Sequence, residues 1–179
     1  VEDDGQLVVL GRVSEVVHTA AGERYVPNYI ENRLKFSPYI RDAAVVGAGR
    51  DQLAAMICID FEATGHWAEL NAVPYASFAD LSQRAEVAKL LAEAVARVNA
   101  ALPEGLRIHR FVSLHKEFDP DDGEITRTRK LRRKVVEERY APVIAALYDG
   151  STEVNVQAQV VYENGSTDVV ERVLQIREV

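Results

Sequence analysis

The chain has one cysteine, one methionine and one tryptophan among 179 residues. A single thiol excludes an intramolecular disulfide, which makes a reducing cytoplasm the expected setting. Cys58 stands in the apolar run Met56-Ile57-Cys58-Ile59. A thiol buried among aliphatic side chains stays protonated, so it reads as core rather than nucleophile. No stretch approaches the ~20 apolar residues that cross a bilayer, and no basic-then-apolar leader opens the sequence. A surplus of positive charge is missing too. Lys and Arg number 21 against 28 Asp and Glu, a formal net charge of −7, which speaks against a broad polyanion-binding face. Internal repeats and low-complexity segments are absent. The first residue is Val1, followed by the turn-like Glu2-Asp3-Asp4-Gly5, and the expectation is a piece of a longer protein.

What is present reads as an ordinary globular domain, with 47% hydrophobic and 27% charged residues. Residues 6–10 and 13–19 are rich in β-branched side chains and predict two short strands around Gly11-Arg12. A turn at 19–22 follows. Pro27 suits the first turn of a helix that Ser37-Pro38 ends. The runs 40–47 and 53–60 flank Gly49-Arg50-Asp51 as strand, turn and strand. A loosely patterned stretch holds Trp67 and Pro74. Asp80, with Gln83 three residues on, is placed to cap a long helix, since Leu81, Ala88, Leu91, Val95, Val98 and Leu102 recur at helical spacing. Pro103 and Gly105 end it. A strand at 107–113 comes next, then a last helix carrying Leu131, Val135, Tyr140, Ile144 and Leu147. Beyond Asp149-Gly150, strict alternation from Val154 to Tyr162 and from Val170 to Ile176, around a turn at 163–166, predicts a hairpin. Strands and helices mix without a βαβ rhythm, so the fold class is α+β: a small mixed sheet flanked by helices, with a C-terminal β-hairpin.

One segment concentrates chemistry. Six of the eight residues 127–134 are basic, directly after the acidic turn 119–124. Calcium does not explain the turn: with Gly123 at the sixth loop position, Phe118 and Pro120 fall where carboxylates are required and Arg129 falls at the twelfth. Cations at a helix start oppose its dipole by ~0.3–1 kcal/mol each, so either carboxylates at Asp121, Asp122, Glu124, Glu137 and Glu138 pair with them or an anionic ligand does. No aromatic residue interleaves the run to stack on bases, so a small phosphorylated ligand fits better than nucleic acid. A stand-alone module that binds an anionic partner through residues 127–134 is the rival reading. His66, His109 and His115 lack metal-ligand spacing with one another or with Cys58, and no metal site is expected. Trp67 and Phe78 read as core or interface.

Two separated motifs carry a resemblance. The first is Asp4-Gly5-Gln6-Leu7-Val8-Val9-Leu10-Gly11-Arg12, followed by Gly22 and by Pro27-Asn28-Tyr29-Ile30-Glu31. The second is Gly123-Glu124-Ile125-Thr126-Arg127-Thr128-Arg129-Lys130-Leu131-Arg132-Arg133. In that order and spacing they resemble the C-terminal domain of AMP-forming acyl-CoA synthetases, in the adenylate-forming superfamily. The form of the second motif, the stretch Asn32-Arg33-Leu34-Lys35-Phe36-Ser37-Pro38-Tyr39-Ile40, and the closing Tyr140, Ile144 and Leu147-Tyr148 resemble the long-chain fatty acyl branch. The likeness covers residues 4–148 or so.

The resemblance implies a lid domain over 1–149 with a hairpin extension over 150–179, and an N-terminal adenylation domain that is absent from this chain. It implies a two-step reaction in which a fatty acid and ATP give acyl-AMP and CoA then displaces AMP, with Mg2+ carried chiefly with ATP on the N-terminal domain. Lys130 matches the family's adenylation lysine. A compact ammonium on a long stem suits charge that builds on phosphate oxygens in the transition state. Arg12 matches an arginine that approaches the nucleotide. Ser14 falls at the hinge, where relatives mostly carry Asp or Lys. Gly22 and Arg24 fall in the loop that meets CoA during thioester formation, where a glycine lets the backbone approach the pantetheine arm; His18 lies nearby. A ligase that loads a carrier protein presents the same pantetheine arm and is the alternative within the superfamily. Partners are thus the chain's own N-terminal domain, a fatty acid, ATP and CoA, with no nucleic acid and no transmembrane segment expected.

Overall fold

The structure is a computed structural model that describes residues 11–161 and 165–179. The strand expected at 6–10 and part of the turn at 163–166 lie outside the described residues. Within them the chain forms a mixed five-stranded sheet with helices on both faces, in agreement with the expected α+β class. In chain order the elements are β1 (Val17–His18), β2 (Arg24–Tyr25), α1 (Pro27–Leu34), β3 (Ile40–Val46), β4 (Leu53–Ile59), α2 (Phe61–Leu70), α3 (Phe78–Gln83), α4 (Ala85–Asn99), β5 (Ile108–Ser113), α5 (Arg133–Arg139), α6 (Ala141–Tyr148), β6 (Glu153–Val161) and β7 (Thr167–Glu178). The large sheet runs β3-β4-β5-β7-β6, while β1 and β2 form a small separate ribbon.

β4 explains the layering. All seven of its residues are buried, because it lies inside the sheet, antiparallel to β3 and parallel to β5. Its side chains alternate between two cores, as a strand's period of two requires. Leu53, Ala55, Ile57 and Ile59 join Ile30 and Leu34 of α1, Leu91 and Val95 of α4, and Phe111 on one face. Ala54, Met56 and Cys58 join Val136 of α5, Val143 and Leu147 of α6, and Leu174 and Ile176 of β7 on the other. Burial pushes the Cys58 thiol well above its ordinary pKa, with the Asp42 charge adding to the effect. The thiol is core.

Local chemistry moved several boundaries. Residues 13–15 form a 3-10 turn rather than strand, closed by Glu15 N–H to Arg12 O (2.9 Å) and Val16 N–H to Val13 O (3.3 Å); only Val17 and His18 extend. The loosely patterned stretch holds a full helix, α2, whose cap is Asp60: its Oδ1 accepts from Ala63 N–H at 2.9 Å. Gly65 sits inside α2 because a Cβ there would lie 2.7 Å from the Tyr75 hydroxyl. Trp67 packs edge-on against Tyr39, centroids 6.3 Å apart.

The helical stripe 81–102 divides in two. Ser77, not Asp80, caps α3: its Oγ accepts from Asp80 N–H (3.1 Å), while Asp80 Oδ2 accepts from Ala76 N–H (2.9 Å). Arg84 is extended, with ψ of 137°, and α4 starts after it. Gln83 at the break spans two strands. Its amide donates to Ser113 O (2.8 Å) and accepts from Gln175 N–H (2.9 Å). The last helix likewise breaks at Tyr140, since Pro142 has no N–H to bond backward. The C-terminal hairpin forms as expected, and it is part of the main sheet: β7 pairs with β5 through Arg110 and Glu178, Phe111 and Arg177, and Val112 and Ile176.

Candidate functional site

The basic segment begins on a buried anion. Glu124 has a fully buried side chain, and its carboxylate accepts from Lys116 Nζ (2.9 Å), Asp119 N–H (2.9 Å), Tyr140 Oη (2.9 Å) and an Arg139 guanidinium nitrogen (3.2 Å). A buried carboxylate with that many donors is satisfied and fixes what surrounds it. Desolvation and the neighbouring Glu124 charge push the Tyr140 hydroxyl above its usual range, so it stays a donor. Lys116 loses charge stability to burial but more than regains it from Asp122 and Glu124.

From that anchor a tight loop closes. Ile125 and Leu131 bridge antiparallel. Inside the bridge, Thr126 N–H donates to Lys130 O (2.8 Å) and Arg129 N–H to Thr126 O (2.9 Å). Lys130 N–H donates to Thr126 Oγ1 (3.0 Å), and Arg132 N–H returns to Glu124 O (2.8 Å). Arg129 takes a left-handed conformation, φ of 60°, which costs a side-chain-bearing residue about 1–2 kcal/mol. An ion pair to the buried Asp42 of β3 holds it there. Both threonines of the motif thus have structural work: Thr126 pins the lysine's backbone, and Thr128 Oγ1 lies 3.0 Å from Thr126 Oγ1.

The six cations therefore differ. Arg129 pairs with Asp42, and Arg133 pairs with Glu31 at 2.6 Å while donating to Val45 O at 3.0 Å. Arg127, Arg132 and Lys134 are exposed, with no ion-pair partner among the described residues. Lys130 is exposed too: its side chain is 70% exposed, with Nζ 3.9 Å from Glu15 Oε1. Two of the nearby carboxylates that could pair with the run serve elsewhere. Asp122 and Glu124 pair with Lys116 and Arg139, while the run draws on Glu15, Glu31 and Asp42 from early in the chain. Sequence proximity hid those partners, although Glu31 belongs to the first motif.

Glu15 also links the two motifs. Its other oxygen, Oε2, accepts from the Arg12 backbone N–H at 3.4 Å, so Arg12 and Lys130 meet at one carboxylate. The Arg12 side chain is exposed, as is Ser14 in the middle of the 3-10 turn. Gly22 and Arg24 are elsewhere, on the β1–β2 ribbon. Gly22 N–H donates to Thr19 O (3.0 Å) and Thr19 N–H to Glu23 O (3.0 Å). Ala20 N–H to Arg50 O and Gly49 N–H to His18 O, both 2.9 Å, fasten the ribbon to the β3–β4 turn. Gly22 has φ of +82°, and a Cβ there would meet no atom within 4 Å. Its backbone shape, not crowding inside the chain, asks for glycine. Arg24 faces His18 across the ribbon, and both are exposed. Among the described residues, no hydrogen bond or ion pair joins this ribbon to the 126–130 loop.

No group of three or more His, Cys, Asp or Glu side chains among the described residues is placed to hold a metal ion. No helix among them is long and apolar enough to cross a membrane.

A mixed five-stranded sheet with helices on both faces makes this a small α+β domain. A family model described as AMP-binding enzyme C-terminal domain matches residues 14–152, and the chain belongs to that family. It is 36% identical over 150 residues to the long-chain-fatty-acid–CoA ligase FadD15 of Mycobacterium tuberculosis, a match covering 83% of this chain and 25% of that protein. It is 30% identical over 165 residues to the long-chain-fatty-acid–CoA ligase ACSBG1 of Bos taurus, covering 81% of this chain and 22% of that protein. The chain spans roughly a quarter of the length of the curated relatives it matches. Among solved structures it resembles the adenylation domain of a carboxylate reductase from Mycobacterium chelonae, at 25% identity and a TM-score of 0.61, over 78% of this chain and 20% of that one.

Proposed function

We propose that this domain is the lid of a long-chain fatty acid–CoA ligase, working with an N-terminal adenylation domain that binds fatty acid, ATP and its magnesium. Lys130 brings its ammonium to the phosphate and carboxylate oxygens as the fatty carboxylate attacks the α-phosphorus. It stabilises charge that grows in the transition state. Arg12, beside it through Glu15, contacts the nucleotide. The ribbon with Gly22 and Arg24 faces CoA in the second step, and Ser14 lies where the domain turns between steps. The observation that carries this reading is the exposure of Lys130 on a loop tied down on both sides. Its backbone is fixed and its side chain is free to reach a ligand on another domain. Cytoplasmic CoA ester formation follows as the setting.

The test is Lys130→Ala in the full-length parent, with the half-reactions assayed apart. Acyl-AMP formation should fall ~10²–10³-fold, while thioester formation from supplied acyl-AMP persists. Equal loss in both half-reactions would refute the assignment.

A further inference from the structure

Among the described residues β6 is an edge strand, and none of the usual guards stands on it. Natural edges are blunted by charge, proline or bulges against pairing with another chain. The other edge, β3, carries Arg41 at a register shift between Ile40 and Asp42. β6 from 154 to 160 reads Val-Asn-Val-Gln-Ala-Gln-Val, without charge, proline or glycine. We propose that a second copy of this chain covers that edge, its own β6 paired antiparallel across a two-fold axis at Gln157.

The geometry supports the pairing. Ile176 N–H donates to Thr152 O at 2.8 Å, and β6 pairs with β7 in unbroken register from Glu153 to Val161. In an antiparallel ladder the bonding direction alternates residue by residue. Even-numbered residues of β6 therefore bond to β7, and the backbones of Asn155, Gln157 and Gln159 turn outward. Residues 155–160 also border an open groove of about 960 Å3, shared with Arg172 of β7 and with Phe78, Pro142 and Val143, so the groove lies against a face of the hairpin.

The sequence is complementary to itself in this register. An axis at Gln157 sets Gln157 against Gln157 of the second copy and Asn155 against its Gln159, each facing pair exchanging two backbone hydrogen bonds. On the other face, Val154 meets Val160 and Val156 meets Ala158. Apolar lies beside apolar and amide beside amide, and no like charges oppose each other. The contact also closes. Each copy contributes the same edge, so assembly stops at two and joins two five-stranded sheets into one of ten.

Sedimentation across a dilution series tests this. The chain should sediment as a dimer that dissociates on dilution. Gln157→Pro removes the outward N–H at the axis, a place where an edge strand tolerates proline; its dimer boundary should vanish while the thermal melt stays cooperative. Gln157→Cys supplies a second test that does not depend on proline. Cys58 is buried, so the new thiol is the accessible one, and mild oxidation should link two chains directly, whereas Gln159→Cys, opposite Asn155, should link poorly. A monomer at every concentration, assemblies that grow past two, a dimer untouched by Gln157→Pro, or equal linking at 157 and 159 would each overturn the proposal.

Discussion

Arg133, at the start of α5, closes on Glu31 of α1 at 2.6 Å, across 102 residues of sequence. The carboxylate is 4% exposed and also accepts from Val45 N–H at 2.8 Å. The pair thereby clasps the first motif to the second through β3. Burial raises the Glu31 pKa, and Arg133 opposes that rise. Arg133→Ala leaves a buried carboxylate with only the Val45 amide, and should cost about 3–5 kcal/mol of stability at neutral pH. The sign is set by the raised folded pKa: part of the loss returns on acidification, as the stranded carboxyl takes up a proton. Adding Glu31→Gln should recover part of it at pH 7. Urea melts of the single and double variants at two pH values check both points.

Arg129 gives a test of backbone against side chain. Arg129→Ala and Arg129→Gly lose the same contact with Asp42, but only glycine takes φ of 60° without strain. The glycine variant should therefore be the more stable by ~1 kcal/mol, the reverse of their order in a helix or strand. Thermal melts that rank alanine above glycine would contradict the left-handed conformation of the loop.

His115 predicts a slope with pH. Burial, helped by the Lys116 and Arg172 charges, lowers its pKa from 6.5 to about 4, and its Nδ1 is buried without a hydrogen-bond partner. Between those two values the unfolded chain binds a proton that the native state refuses. Stability should fall as pH drops from about 6.5 to 4, by up to about 3 kcal/mol. Glu31, whose folded pKa is raised, contributes in the opposite sense. The clean measurement is thus the difference between wild type and His115→Gln across that window. The difference should be flat above pH 7 and should close on the acid side.

Much of this was legible in the sequence where the physics is local. Pro27 set the start of α1, the runs around Gly49 set β3 and β4, and alternation set the C-terminal hairpin. The ordered motifs single out Lys130, whose side chain the fold leaves exposed. What stayed hidden was long-range or weakly patterned. α2 lacks a clean apolar stripe, because Thr64 and Gly65 occupy its buried side. The break at Arg84 follows from Gln83 reaching two strands that are distant in sequence. The partners of Arg129 and Arg133 lie 87 and 102 residues away, where no spacing rule points. Of the carboxylates near the run, Asp122 and Glu124 pair instead with Lys116 and Arg139.

The place of β7 decides where this polypeptide can be trimmed. Val179 N–H still donates to His109 O at 3.0 Å, so ordered pairing continues to the final residue given. Cutting after 152, where the family likeness stops, would pull Leu174 and Ile176 out of the second core and leave β5 with a raw margin. A shortened version should clump rather than fold.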